Sequence, residues 1–267
     1  MLRSLAGLIS TAALRLLGTL PPGVIVALGS PLLPFYALIR PQTKRRLRSL
    51  PVPVPTLPYY RMRLRLAALS LRHLTNHPND LTVRIEGEEH YHAALASGKP
   101  VALLGWHQGP VELLHRIPPA SNDDRPFYIL TAEAFSLALT GLLKQGRTQP
   151  GKTMVDSDRS AALRDFIRRN GLLAVMVDQV PGDPSDFFSL WNGSVKIPRT
   201  GELLEWLRNQ GSLLVAVTVS LEKEDTVLFR YHPVNGLEDL EALLEKSLAE
   251  NPLQYNWSYP KIRLTPA

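Results

Sequence analysis

The sequence predicts an α/β fold with a mainly parallel central sheet flanked by helices, preceded by an N-terminal apolar, membrane-associated helical region. From about Leu81 onward, apolar segments of strand length alternate with longer amphipathic segments, which is the order of a layered α/β protein. Residues 16–39 carry no charged side chain, and basic residues follow closely. We therefore expect an apolar helical segment over 1–40, a basic proline-rich connector and helix over 41–80, and an α/β domain over 81–267.

The apolar stretch 16–39 is long enough to cross a hydrocarbon core of about 30 Å. It contains four prolines, Pro21, Pro22, Pro31 and Pro34. Because proline interrupts a helix, a re-entrant or interfacial pair of short helices is at least as consistent with the sequence as a span. A signal peptide and a buried helical hairpin of a soluble domain remain alternatives. A membrane is favoured by the basic residues that follow and bind anionic lipid, namely Lys44, Arg45, Arg46 and Arg48.

Proline and basic residues dominate segment 41–58, which predicts an extended connector without regular structure. A helix is expected after it, over Tyr59–Leu74. The apolar patterns then predict strands near Thr82–Glu86, Pro100–Trp106, Phe127–Thr131, Lys152–Val155, Leu172–Val177, Ser212–Leu221 and Thr226–Tyr231. Helices are predicted between them, over Glu88–Ala96, Gly109–His115, Ala132–Lys144, Arg159–Arg169, Gly201–Asn209 and Leu237–Leu248.

Composition excludes several kinds of site. The chain has no cysteine, so disulfides, thiolate metal sites and a cysteine nucleophile are excluded. Lys and Arg outnumber Asp and Glu by 30 to 24, which favours an anionic partner such as phospholipid head groups, nucleic acid or an acidic carrier protein. His73 and His77 lack the intervening Glu of a zinc peptidase and precede Pro78, so we expect no metal. Phosphate-loop and dinucleotide glycine motifs are also absent, so no cofactor is expected.

The most informative segment runs from Val101 to His115. An apolar strand ends at Trp106, His107 follows at its carboxyl end, and a helix carrying Glu112 comes next. Ligands of open α/β sheets bind outside the carboxyl ends of the strands, so this is a suitable position for a reactive side chain. A histidine can take the proton of a hydroxyl nucleophile while a carboxylate on its other ring nitrogen orients it. We expect Glu112 to supply that carboxylate.

The His-x-x-x-x-Glu spacing alone is weak, because a chain with 7 His and 24 acidic residues contains one such pair by chance with roughly even odds. A histidine with a purely structural role is the competing interpretation of His107. The strand-to-helix junction behind a fully apolar run is what favours a functional role.

These residues resemble a known family, the late (lauroyl or myristoyl) acyltransferases of lipid A biosynthesis, within the wider lysophospholipid acyltransferase group. His107-Gln-Gly109-Pro-Val-Glu112 is similar to the family's His-x-Gly-x-x-Glu motif. The strand ending in Asp178-Gln179 looks like its Asp-Gln strand, and the family's Pro-Phe-Phe-Gly and Thr-Pro-x-Gly segment resembles Leu190-Trp-Asn-Gly193 followed by Pro198 and Gly201. The closing Tyr-x-Trp and basic tail of the family is similar to Tyr255-Asn-Trp257 with Lys261 and Arg263.

The resemblance covers most of residues 82–267 and implies a glycerolipid acyltransferase-like fold. It implies transfer of a fatty acyl chain from acyl-carrier protein or acyl-CoA to a lipid acceptor such as a lipid A precursor, at the cytoplasmic face of a bacterial inner membrane. An anionic membrane surface would be a further partner, and no nucleic acid is expected. The catalytic residues would be His107, Glu112 and Arg147, and the substrate-binding residues Trp106, Gln108, Asp178, Gln179, Gly193 and Pro198.

Two other functions stay open. A glycerolipid or aminolipid acyltransferase would use the same chemistry on another acceptor, and a non-catalytic lipid-binding homologue would keep the fold without the reaction. Arg147, the expected donor to the thioester oxygen, is equally consistent with a solvated loop arginine. The residues around His107 depart from the family pattern at Gln108, Pro110 and Val111, which puts the acceptor in doubt more than the mechanism.

Overall fold

The N-terminal helices pack against one another and against a long helix that leads into the sheet. A computed structural model describes residues 2–77, 81–116, 125–131, 151–155, 159–180, 183–223 and 226–265. Its first helices are α1 (Leu2–Thr19), α2 (Pro22–Gly29), α3 (Leu33–Leu38), α4 (Pro41–Arg48) and α5 (Thr56–Leu74), with a 3-10 turn over Ser30–Leu32. Helices α1, α2 and α3 all contact α5.

No single helix of the described residues is long and apolar enough to cross a membrane. Two helical segments, Thr11–Thr19 and Pro22–Leu38, are together long and apolar enough to cross a membrane by length and composition, but they are bent by 114° relative to each other. The bend falls at the prolines that the sequence marks as helix breakers. Several large apolar side chains of this region point outward, including Leu16, Leu28, Leu32, Phe35, Leu38 and Ile39.

The segment expected to be an extended connector, 41–58, is partly helical. Helix α4 begins at Pro41, because proline is well suited to the first helical position, where no amide donor is needed. Helix α5 already begins at Thr56, since Pro58 lies in its first turn. Leu47, Leu50 and Val54 are buried in the main core, so this segment contributes to the α/β domain and does not merely tether it.

The central sheet has seven strands in the order β1-β9-β8-β2-β5-β3-β4. The strands are β1 (Thr82–Glu86), β2 (Val101–Gly105), β3 (Phe127–Leu130), β4 (Lys152–Val155), β5 (Leu172–Met176), β8 (Leu213–Leu221) and β9 (Thr226–Val234). All neighbouring pairs are parallel except β8 with β9. The predicted α/β class and mainly parallel central sheet are therefore confirmed.

Helices cover both faces of this sheet. They are α6 (Glu88–Ala96), α7 (Arg159–Arg168), α8 (Gly201–Asn209) and α9 (Leu237–Glu250), with 3-10 turns over Val111–Arg116 and Pro252–Gln254. Helices α7, α8 and α9 bury Phe166, Leu204 and Leu244 in the core of one face. Helix α6 buries Tyr91 in the core of the other face.

A second, three-stranded antiparallel sheet was not expected from the sequence. It consists of β6 (Phe187–Leu190), β7 (Val195–Pro198) and β10 (Arg263–Leu264), in the order β10-β7-β6. The backbone of Thr200, just after β7, donates a hydrogen bond to the carbonyl of Val177 at the end of β5. The small sheet is thereby connected to the carboxyl edge of the large one.

Candidate functional site

His107 and Asp178 come together because their strands are neighbours. Strands β2 and β5 pair in parallel, and Gly105 at the end of β2 lies opposite Met176 at the end of β5. His107 and Asp178 each follow two residues later. The register of the sheet therefore places the imidazole and the carboxylate side by side at its carboxyl edge, where α/β proteins bind ligands.

Asp178 is fully buried and accepts three hydrogen bonds. The Nδ1 of His107 lies 2.8 Å from Oδ1, and the backbone N–H of His107 donates to Oδ2 at 2.9 Å. The hydroxyl of Tyr255 donates to the same Oδ2, also at 2.9 Å. Because the oxygens of a carboxylate accept hydrogen bonds, we assign the tautomer in which Nδ1 carries the proton and donates it to Oδ1. The lone pair on Nε2 remains for the substrate.

The carboxylate on the imidazole is thus Asp178, and not Glu112 as expected from the sequence. Nδ1 makes one hydrogen bond, and Asp178 occupies it. Glu112 is buried in the 3-10 turn that follows and lines the same cavity as His107. Asp178, predicted to bind substrate, instead takes the orienting position that we had assigned to Glu112.

Tyr255 holds Asp178 from the C-terminal segment, and the sequence analysis gave it no role in the site. Its side chain is completely buried, with its ring edge-on to Trp257 at 4.8 Å between centroids. Burial and the neighbouring Asp178 raise the pKa of Tyr255 well above its usual range, so the phenol stays protonated and donates. The Tyr-x-Trp pattern near the end of the chain is the signal that could have identified it.

The loop after His107 is fixed by this same segment. Gln108 pairs with Tyr255 as an isolated bridge, and the backbone N–H of Asn256 donates to the carbonyl of His107 at 3.0 Å. Gly109 has a φ of +66°, and a Cβ there would meet the carbonyl oxygen of Val219 at 2.3 Å. Only glycine fits this approach, which explains the His-x-Gly spacing.

Trp106 and Gln108, both predicted to bind substrate, are structural instead. Their side chains are almost completely buried, and the indole N–H of Trp106 donates to Oε1 of Gln108 at 2.8 Å. The amide of Gln108 donates to the carbonyl of Ser247, whose hydroxyl donates back to Oε1. Because these bonds occupy both ends of the amide, Gln108 fixes the loop to helix α9 and does not face a ligand.

An apolar cavity of about 70 Å³ opens beside the imidazole. His107 and Glu112 supply its polar end. Its walls come mainly from one face of the sheet and from the 3-10 turn after His107, and include Leu103, Val111, Leu114, Phe127, Ile129 and Val217. A cavity of this composition suits a hydrocarbon group held next to a base.

Two polar atoms close to Asp178 are left without a partner among the described residues. They are Nε2 of Gln179, the residue after Asp178, and the hydroxyl of Thr200, whose backbone donates to Val177. A buried donor without a partner is costly, so it marks a place where a ligand can supply the missing acceptor. Gln179 therefore remains a candidate substrate-binding residue, and Thr200 joins it.

The other predicted residues divide into two groups. Gly193 and Pro198 lie in the small sheet: Gly193 has a φ of +84° in the turn between β6 and β7, and Pro198 is buried at the end of β7. Arg147 and the helix expected over Ala132–Lys144 lie outside the described residues. No group of three or more His, Asp and Glu side chains that could hold a metal ion occurs in the part of the chain that the structure describes.

This arrangement can take a proton. An imidazole with one nitrogen bonded to a buried carboxylate and the other free beside an apolar cavity is the arrangement of a general base.

Comparison with known proteins adds no assignment: the chain matches no model of a known protein family, and no curated protein matches it.

Proposed function

We propose that the protein is an acyltransferase that moves a fatty acyl chain from an acyl thioester to a lipid acceptor, with His107 as the general base. The observation that carries the proposal is the hydrogen-bonded pair of His107 and Asp178 at the mouth of an apolar cavity. The resemblance of this segment and of Asp178-Gln179 to the lipid A acyltransferases supports the same reaction and a glycerolipid acyltransferase-like fold.

The reaction needs no nucleophile from the protein. Nε2 of His107 takes the proton of the acceptor hydroxyl as its oxygen attacks the thioester carbonyl, and Asp178 stabilises the imidazolium that forms. The tetrahedral intermediate then expels the thiolate, which receives the proton from Nε2. Donors are also needed for the carbonyl oxygen as it becomes an oxyanion. Gln179 and Thr200 carry buried donors without a partner among the described residues, and they are candidates for this role together with Arg147.

The donor is an acyl thioester, on acyl-carrier protein or coenzyme A, and the acceptor is a lipid such as a lipid A precursor. The apolar cavity supports a hydrocarbon chain at the reacting centre. An excess of Lys and Arg, 30 against 24 acidic residues, suits both an acidic carrier and an anionic membrane. The expected place of action is the cytoplasmic face of a bacterial inner membrane.

The N-terminal helices are proposed to bind that membrane. Three apolar side chains are largely exposed: Phe35 by 69%, Leu38 by 69% and Ile39 by 72%. Three exposed arginines follow them, namely Arg40, Arg45 and Arg48. Contiguous exposed apolar side chains bordered by cations are typical of a segment lying in the lipid headgroup region.

His107→Ala tests the reaction directly. We expect loss of acyl transfer from acyl-carrier protein, because no other base among the described residues contacts Asp178. Activity is measured with both acyl-carrier protein and coenzyme A donors, against a panel of lipid A precursors, glycerolipids and aminolipids, and is normalised to folded protein by thermal melts. His92→Ala, on the exposed face of α6, is the matched control.

Near-normal activity in folded His107→Ala would rule out the mechanism. Lipid binding without transfer by the wild-type protein on every donor and acceptor would favour the non-catalytic lipid-binding alternative. Transfer to a glycerolipid or aminolipid alone would keep the mechanism and change the acceptor.

A second experiment tests the membrane surface in the full chain. Phe35→Glu should weaken binding to anionic vesicles, because it removes an exposed apolar side chain and adds a negative charge. Gln42→Glu adds the same charge at an exposed position of α4 without removing apolar surface, and should weaken binding less. Equal effects of the two changes in a vesicle flotation assay would mean that only charge matters.

A further inference from the structure

A second cavity lies at the edge of the sheet, where β9 continues past the end of β1. Val217 of β8 lines the apolar cavity, whereas the next residue, Thr218, lines this one, since successive side chains of a strand point to opposite faces. Its volume is about 350 Å³, and it lies between β9, the start of α6 and the end of α9. Volumes of about 300–1,000 Å³ are typical of small-molecule sites.

The two carboxylates at this cavity are already paired. Arg230 bonds Glu86 at 2.6 Å and Glu250 at 3.4 Å, and Arg84 also contacts Glu86 at 2.6 Å. These arginines lower the pKa of Glu86, so it stays ionised and bound to them near neutral pH. The negative charge of the cavity is therefore used to hold Arg230 in place.

Three further basic side chains line the cavity: His90, His232 and Lys246. Neither His232 nor Lys246 forms an ion pair with a carboxylate of the described residues, and His90 has only Glu89 at 3.8 Å, on its own exposed helix. Burial lowers the pKa of His232, and Arg230, Lys246 and His90 lower it further, against the opposing effect of Glu250. In formal charge Arg230 and Lys246 balance Glu86 and Glu250, but both carboxylates bond Arg230, so Lys246 is left without a carboxylate partner among the described residues.

We propose that this cavity binds the phosphate group of a phosphorylated ligand, through Lys246, His232 and His90. The three groups come from α9, β9 and α6 and line one cavity, and a charge-assisted bond from the ammonium of Lys246 to phosphate is the strongest that they offer. A bound phosphate supplies the anionic partner that Lys246 lacks, and the imidazoles of His232 and His90 add hydrogen-bond donors. The remaining volume accommodates a small polar group attached to the phosphate.

The phosphate site is connected to the loop that follows His107 but is separate from the candidate active site. Ser247 lines the cavity, and its hydroxyl donates to Gln108 at 2.6 Å. The proposal does not depend on acyl transfer, because His107 does not line this cavity. Its test therefore uses binding alone, and absence of transferase activity would leave the result unaffected.

The experiment titrates inorganic phosphate into the full chain and follows the histidine ring signals by NMR, with His232 assigned through His232→Gln. We expect saturable shifts at His232 and His90 and a raised pKa of His232, with little change at His92, which lies on α6 but outside the cavity. Lys246→Gln should weaken binding by about tenfold or more, because it removes a charged donor at an exposed position. Lys223→Gln, an exposed lysine elsewhere, should not.

A second probe is sulfate, whose charge is constant near neutral pH. Its affinity should rise as the pH falls below about 6.5, because burial lowers the pKa of His232 from that value and protonation of His232 there adds a charged donor. If the natural ligand is a soluble phosphorylated molecule, dihexanoyl phosphatidic acid should not displace phosphate. If it is a lipid headgroup, this lipid should displace phosphate and dihexanoyl phosphatidylcholine should not. Equal shifts at all seven histidines, or unchanged phosphate affinity in Lys246→Gln, would overturn the proposal.

Discussion

Asp178 and Glu112 are two buried carboxylates near one histidine, and they reach it by different routes. Glu112 lies in the short helix that directly follows His107, whereas Asp178 is 71 residues away in sequence and lies at the end of the neighbouring strand. The distant residue makes the hydrogen bond to Nδ1. Glu112 lines the cavity beside the imidazole.

The difference shows how a parallel sheet fixes the relative positions of two side chains in a site. Two paired strands fix the separation of the residues that follow them, because the ladder of hydrogen bonds between β2 and β5 sets their register. A residue in the next helix must instead depend on the exact turn between strand and helix. A carboxylate fixed by the sheet and by two additional donors is the better orienting group.

The largest effect that this comparison predicts is that of Asp178→Asn. The amide keeps the shape of the carboxylate but cannot stabilise an imidazolium, and it can hold the wrong tautomer of His107. We expect kcat for acyl transfer to fall by about 10⁴-fold, as in other enzymes with a carboxylate behind a catalytic histidine. Steady-state kinetics with a melting curve would check it. If kcat falls less in Asp178→Asn than in Glu112→Gln, then Glu112 and not Asp178 is the acid that orients His107.

Tyr255→Phe should have an intermediate effect. It removes one of three donors to Asp178 and keeps the ring that packs on Trp257. A hydrogen bond to a charged group contributes about 1.5–3 kcal/mol, so kcat should fall by about 10- to 100-fold with little change in KM. Because a general loss of structure would alter both constants, the split between kcat and KM distinguishes positioning from packing. Unchanged kcat in the folded variant would mean that Tyr255 is only a core residue.

The smallest effect is expected for Glu112→Gln. Glu112 does not hold Nδ1, so the neutral amide leaves the orientation of His107 intact. We expect kcat to fall by about tenfold or less, the range of an ordinary hydrogen bond. The comparison is sharpest in the double variant with Asp178→Asn. If Asp178 alone orients the imidazole, adding Glu112→Gln should multiply the two losses without a further synergistic loss.

Much of the fold could be predicted because periodicity is local. Helices α6 and α8 have the predicted bounds, and β1 and β4 do as well. The small sheet was missed because β7 ends in Pro198, which argues against a strand, and because β10 has only two residues. Helix α4 was missed because its proline begins the helix instead of breaking it.

The site was harder to predict because it depends on which strands are neighbours. His107 could be identified from a strand-to-helix junction, and Asp178 from the end of another apolar strand. That β2 pairs with β5 is a property of the whole sheet, so no local pattern could show that Asp178 contacts the imidazole. The inward direction of the Trp106 and Gln108 side chains could not be predicted for a similar reason, since the C-terminal segment that covers them lies far away in sequence.

Arg46 holds the C-terminal segment in place. This one guanidinium donates to the backbone carbonyls of Trp257, Tyr259, Pro260 and Ile262, and so fastens the segment that carries Tyr255 to helix α4. Ribosomes synthesise His107 and Asp178 well before Tyr255. A nascent chain can therefore form most of its sheet while its proposed base remains incompletely supported, and catalytic competence should appear only after synthesis has passed Ile262.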